Sequence, residues 1–127
     1  MTAMLEVDGL VAGYGATEVL HGLSLQVAAG GVTAMIGANG AGKTTLMKTL
    51  AGLLPATQGR LRFLGEDITA VPPHRRVLAG MVLVPEGRMV FPSLSVLENL
   101  RLGAINPRAR PATQRSLAHV LHVFPRL

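Results

Sequence analysis

The hydrophobic positions of this chain change period several times, and each change marks an element. Between Met4 and Leu10, Leu5 and Val7 alternate with polar neighbours; between Val19 and Val27, Leu23, Leu25 and Val27 do the same. Both stretches predict half-buried strands of an antiparallel sheet, the second ending at the turn Ala28-Ala29-Gly30-Gly31. Gly13-Tyr14-Gly15, between them, predicts a flexible loop. Val32-Thr33-Ala34-Met35-Ile36 is a short, continuous, partly β-branched apolar run, the pattern of a buried strand. Leu46, Leu50, Leu53 and Leu54 then recur at helical spacing until Gly52 and Pro55 mark the stop.

Further on, Gly59 to Leu64 alternates Leu61 and Phe63 against Arg60 and Arg62, a strand followed by a turn at Gly65-Glu66-Asp67. Pro72-Pro73 opens a short helix through Leu78, since proline is tolerated in a first turn. Met81-Val82-Leu83-Val84 reads as a strand buried on both faces and runs into the loop Pro85-Glu86-Gly87-Arg88. Ser95 with Glu98 three residues on is a capping box before a helix carrying Val96, Leu97, Leu100 and Leu102. Pro107 to Pro111 is a polar connector, and a last helix is predicted over Thr113 to Phe124, with Leu117, Val120, Leu121 and Phe124 on one face. No repeat or low-complexity tract interrupts this order.

Composition narrows the class. With 127 residues, 49% of them hydrophobic and 15% charged, the chain is material for one compact domain. It has no Trp and one Tyr, so Leu, Val, Ala and Met must build the core, and the six Met residues, Met35, Met47, Met81 and Met89 among them, read as packing. Absence of Cys removes disulfides, thiolate metal sites and cysteine nucleophiles, and fits a reducing compartment. No apolar stretch approaches the ~20 residues a bilayer crossing needs, and Glu6 and Asp8 stand where a signal peptide would be basic, so the chain reads as cytosolic. The net charge of +5 raises the question of nucleic acid. After Glu98, however, Arg101, Arg108, Arg110, Arg115 and Arg126 are scattered without aromatic interleaving. That favours a solvated face or a surface docking an acidic or membrane-bound partner, and no nucleic-acid partner is expected. His119 and His122 are three apart but lack carboxylate or Cys support, and read as solvated.

One stretch carries chemistry directly. Gly37-Ala38-Asn39-Gly40-Ala41-Gly42-Lys43-Thr44-Thr45 follows a predicted strand, precedes a predicted helix, and has the phosphate-loop spacing. A triphosphate is met best by several converging backbone N–H groups, and glycines let the backbone approach closely and take positive φ. Lys43 is then placed to reach the β and γ phosphates and the Thr44 hydroxyl to ligate magnesium, with the dipole of the following helix aimed at the same anion. Tyr14, flanked by glycines, is poorly placed for a core and has a face to offer a nucleotide base; packing is the competing reading. Phosphoryl transfer also needs a second magnesium ligand and a group that orients water. The candidate acid is Glu86, one residue beyond the usual spacing after an apolar strand and preceded by proline. It reads either as a metal-side or water-side contact on a mobile loop or as a plain exposed carboxylate.

In series these patterns resemble the ATP-binding subunits of ABC transporters. Gly37 to Thr45 looks like their Walker A motif, Tyr14 sits where their adenine-stacking aromatic lies, and Val84-Pro85-Glu86 occupies their Q-loop position. Val84-Pro85-Glu86-Gly87-Arg88, Val90-Phe91-Pro92 and Ser95-Val96-Leu97-Glu98-Asn99-Leu100 are similar to one subgroup, the second ATPase of branched-chain amino acid importers. The resemblance covers essentially the whole chain. It implies an α/β P-loop NTPase: a RecA-like core with an N-terminal antiparallel β subdomain and the start of an α-helical subdomain, the C-terminal half missing. Residues 1–92 would be the β subdomain and nucleotide-binding core up to the Q-loop, and residues 93–127 the beginning of the helical subdomain.

The resemblance also implies ligands and partners. ATP and Mg2+ would bind; a second ABC ATPase subunit and transmembrane permease subunits would be partners, at the inner face of the cell membrane. Tyr14 would stack on adenine, Gly37, Asn39, Gly40, Ala41, Gly42, Lys43, Thr44 and Thr45 would hold phosphates, and Thr44 and Glu86 would face magnesium, with Lys43 and Glu86 as the catalytic candidates. The family's usual Gln is Glu at position 86, as is common in the subgroup. No Leu-Ser-Gly-Gly signature, Walker B acid, following catalytic Glu or matching switch His occurs in these 127 residues. Hydrolysis by this chain alone is therefore not expected, and Met81 to Val84, without neighbouring strands, should meet water. A truncated, non-hydrolysing nucleotide-binding module and a self-contained small phosphotransferase using Glu86 are the alternative readings.

Overall fold

A computed structural model of the chain describes residues 3–87 and 89–127. They divide between Leu83 and Val84 into two compact units. In the first unit, β1 (Ala3–Tyr14), β2 (Thr17–Ala28), β3 (Ala56–Phe63) and β4 (Glu66–Asp67) form one sheet in the order β2-β1-β3-β4, every pair antiparallel. Helices α1 (Lys43–Leu50) and α2 (Pro73–Ala79) complete it. The predicted strands at Met4, Val19 and Gly59 are all present, and each is longer than the alternation marks.

Strand β1 keeps its apolar side chains on one face by changing parity. Leu5 and Val7 are buried at odd positions, Leu10 and Ala12 at even ones. The switch is a bulge: from Val7 to Leu10 β1 advances three residues while β2 advances two, from Leu25 to Leu23. Gly9 takes the left-handed conformation there, φ 56°, and its N–H donates to Ser24 Oγ at 2.8 Å. Leu20, Leu46, Leu61 and Ile68 close the core from β2, α1, β3 and the segment after β4.

The hairpin between β1 and β2 corrects the expected flexible loop. Gly13 pairs with Glu18 and Tyr14 with Thr17, so the turn is only Gly15-Ala16. A Cβ on Gly13 would lie 1.9 Å from the Thr17 carbonyl oxygen, so glycine here allows close strand approach rather than mobility.

Two predicted strands do not form. Val32–Ile36 and Met81–Val84 have no regular secondary structure and join no sheet among the described residues. Val32 is 101% exposed, Ile36 95%, Val82 71% and Val84 88%. The reason is that a doubly buried strand is defined by neighbours on both edges and both faces, and β2-β1-β3-β4 supplies neither. Within the first unit, Thr33, Met35, Met81 and Leu83 line one apolar groove with Leu46 and Leu50 of α1. The packing role expected of methionine holds for Met81, which packs against the core. It fails for Met35, Met47 and Met89, which are exposed, the first of them on one of these unpaired segments.

So much bare aliphatic surface predicts self-association of the 127-residue chain in water. Light scattering should show mass rising with concentration, together with dye binding typical of exposed apolar surface. A monodisperse monomer that melts in one cooperative transition would contradict this.

In the second unit, helices α3 (Val96–Leu102) and α4 (Thr113–Val123) are joined through a 3-10 turn at Arg110–Ala112. The capping box forms as predicted: Ser95 Oγ accepts from the Glu98 N–H at 3.3 Å, while Glu98 Oε2 accepts from the Ser95 N–H at 2.8 Å and hydroxyl at 2.7 Å. The Ser95 hydroxyl and then its N–H, with Arg101 nearby, hold the Glu98 carboxyl below its ordinary value of 4.5. A lowered folded-state value means this support is complete above 4.5 and fades as pH falls through the folded value. Helix content followed by circular dichroism should therefore drop on acidification below that range, and Ser95→Ala should flatten the drop.

Candidate functional site

The glycine loop is built against the β1–β2 hairpin. Gly42 has φ 93° and lies so close to β2 that a Cβ would meet Leu20 Cδ2 at 2.9 Å. Gly40, at the tip beside Asn39, has φ 83°. Both positions call for glycine for separate reasons, the first steric and conformational, the second conformational only. The Ala41 N–H donates to the Ala38 carbonyl at 3.2 Å, closing the turn, and a Cβ on Gly37 would pack 3.3 Å from Ala41 Cβ.

Helix α1 starts at Lys43 with no side-chain cap and no acid in its first turn. Its N-terminal partial positive charge is thus not offset by a carboxylate of its own sequence. The Lys43 ammonium folds back over the loop and donates to the carbonyls of Gly37 and Ala38, the second at 2.6 Å. Thr44 is exposed, whereas Thr45 is buried. The chemistry of this set suits a phosphate chain: backbone donors at a helix start, a positive loop backbone, one ammonium and one exposed hydroxyl.

Tyr14 ends β1 half exposed, at 47%, and Lys48 Nζ of α1 lies 5.7 Å from the centre of its ring. The loop, α1 and Tyr14 therefore come together in the first unit. Glu86 belongs to the second unit, on an exposed bend with Gly87 at φ 82°. Arg88, part of the Val84 to Arg88 run, lies outside the described residues. Among the described residues no group of three His, Asp or Glu side chains is placed to hold a metal ion. No helix among them is long and apolar enough to cross a membrane.

Two supporting residues have no clear signature in the sequence. Arg76 of α2 is 3% exposed. Its Nη1 donates to the carbonyls of Thr49 and Leu50 at 2.9 and 2.7 Å, Nε to Val71 at 2.7 Å and Nη2 to Thr69 at 3.2 Å. It thereby satisfies the open C-terminal carbonyls of the helix whose other end carries the glycine loop. In the second unit, Asn99 fastens the segment before α3. Its Oδ1 accepts from the Phe91 N–H at 2.9 Å, and its Nδ2 is shared among the carbonyls of Phe91, Leu94 and Ser95 at 3.0 to 3.2 Å. An Asn one residue after the capping-box Glu is the only signal of this in the chain.

A glycine loop running into a helix, with a lysine folded over the loop, is the phosphate-holding element of a P-loop NTPase of α/β class. Residues 20–126 match the family described as ABC transporter, and the chain belongs to that family. It is 40% identical over 124 residues to the high-affinity branched-chain amino acid transport ATP-binding protein BraG of Pseudomonas aeruginosa, covering 98% of this chain and 53% of that protein. It is 35% identical to the probable branched-chain amino acid transport ATP-binding protein LivF of Archaeoglobus fulgidus, covering 98% of this chain and 52% of the relative. A solved ATP-binding cassette of an ABC transporter superposes with a TM-score of 0.75 at 36% identity, over 84% of this chain and 42% of that one. The chain thus spans about half the length of the curated relatives it matches.

Proposed function

We propose that this chain supplies the ATP-gripping part of an ABC-type ATPase that energises import of branched-chain or related amino acids. The observation that carries the reading is the Lys43 ammonium folded across a glycine loop at an uncapped helix start. In this reading Gly37, Asn39, Gly40, Ala41, Gly42, Lys43, Thr44 and Thr45 hold the phosphates. Tyr14 offers its half-exposed ring to adenine, and Thr44 would hold the magnesium ion that accompanies the nucleotide; Glu86 is assigned its magnesium-side role from the sequence resemblance alone. Magnesium would neutralise phosphate charge; the chain's own part is to bind and orient. The whole protein pairs with a second ATPase subunit and with permease subunits, and works at the inner face of the membrane. Support for the amino-acid assignment comes from the names of the relatives and from the Val84 to Leu100 run.

Turnover requires an acid that orients water. No Leu-Ser-Gly-Gly sequence occurs in the chain, and Glu86 is its one loop candidate for that acid. The expected behaviour of the isolated chain is saturable binding of MgATP with phosphate release no faster than in buffer. Steady phosphate release that disappears in Glu86→Gln would overturn this in favour of a self-contained phosphotransferase or ATPase.

A further inference from the structure

The chain carries twelve basic residues, and ten are Arg; the two lysines, Lys43 and Lys48, both stand on α1. Lys43 is spoken for by the loop. Lys48 follows it by five positions, about 140° around the helix and ~7.5 Å along it, and its ammonium lies over the ring of Tyr14. A distance of 5.7 Å to the ring centre is within the range of a cation–π contact. The ion pairs His21 with Glu18 and Arg60 with Asp67 do not involve Lys48.

We infer that Lys48 is a positioning residue for the nucleotide base, holding Tyr14 from one face so that the other face receives a purine ring. The inference rests on the reading of Tyr14 as the base platform. Tyr14 is the last residue of β1, half exposed, and its backbone is fixed by pairing with Thr17; its ring is not enclosed by the core. A ring in that position stacks productively only if something limits its side-chain rotation. The Lys48 ammonium does so from a rigid helix. It also draws the ring's electron density toward one face, which favours stacking of an electron-rich purine on the other. The same helix carries Lys43 at its start, so one element sets both the phosphate contact and the base platform at a fixed spacing. Lys48 contributes to base affinity through Tyr14 without touching the phosphates.

The test compares ATP with inorganic tripolyphosphate, which has the phosphates and no base. Dissociation constants for both are measured by calorimetry on the 127-residue chain. Tyr14 is the sole Tyr and there is no Trp, so intrinsic fluorescence reports its stacking directly. Lys48→Met, which keeps the stem and removes the charge, should weaken ATP about three- to five-fold and leave tripolyphosphate unchanged. Lys48→Arg should restore ATP affinity, and Lys48→Met should add nothing in a Tyr14→Ala background. Equal weakening of both ligands would make Lys48 a phosphate-side charge and overturn the inference; so would no change in either. If instead Tyr14→Ala leaves the ATP-to-tripolyphosphate ratio untouched and ATP does not alter Tyr14 fluorescence, it is the base-platform reading that fails, and the inference falls with it.

Discussion

Replacing Lys43 with alanine is expected to lower the affinity of the chain for MgATP by about 100-fold, read as a dissociation constant by calorimetry. Hydrogen bonds to charged groups contribute about 1.5–3 kcal/mol each, and 1.4 kcal/mol is tenfold in affinity, so the loss of two such bonds to phosphate oxygens sets this scale. The ammonium is already in place to make them, lying over the loop on the Gly37 and Ala38 carbonyls at the start of a helix with no acid in its first turn. Tripolyphosphate should lose affinity by the same factor, because the contact is with phosphate alone. Lys43→Arg should not rescue binding, since a planar guanidinium does not replace a compact ammonium inside a loop this tight. Equal ATP affinity in Lys43→Ala would show that the loop is only a turn.

The second large effect is far from any ligand. Arg76→Ala should destabilise the first unit by about 3–5 kcal/mol, since each buried polar group left unsatisfied costs about 1–3 kcal/mol, measured as a shift in the urea midpoint at low protein concentration. Arg76 is buried, and its three nitrogens satisfy four carbonyls, two of them at the end of α1. Burial lowers its pKa from the ordinary arginine value. Truncation leaves those carbonyls without donors and opens a void beside Gly52, where a Cβ would already meet Arg76 Nε at 3.0 Å. Arg76→Lys should recover less than half of the loss, because one ammonium cannot span the four acceptors. Whole domains are typically stable by only about 5–15 kcal/mol, and the buried apolar core here is small. Arg76→Ala should therefore lose a large share of the stability of the first unit, with ATP binding weakened in proportion to the unfolded fraction.

What is legible in the chain without its structure divides along a physical line. The glycine loop, the capping box at Ser95 and the strand alternations can be read because each is a local pattern: spacing within a few residues sets the backbone. The two unpaired runs look like strands because period and composition report what a segment would do with neighbours. For Val32 to Ile36 and Met81 to Val84, the described residues supply none. Gly9 hides its bulge, since a parity change in β1 leaves Leu5, Val7, Leu10 and Ala12 looking like two unrelated alternations. Arg76 is illegible for another reason: its acceptors at Thr49 and Leu50 lie more than twenty positions away, and an Arg in a short helix, here one of the pair Arg75-Arg76, normally faces water. Lys48 belongs with it. Only the hairpin and α1 together show that it reaches Tyr14.

The most direct test of the central claim, that Gly37 to Thr45 grips nucleotide phosphates, is phosphorus NMR of MgATP titrated with the 127-residue chain. The β and γ resonances should shift or broaden saturably, be restored by excess tripolyphosphate, and stay unchanged when Lys43→Ala replaces the chain. Unperturbed resonances with the unaltered chain, or the same perturbation with Lys43→Ala, would contradict it.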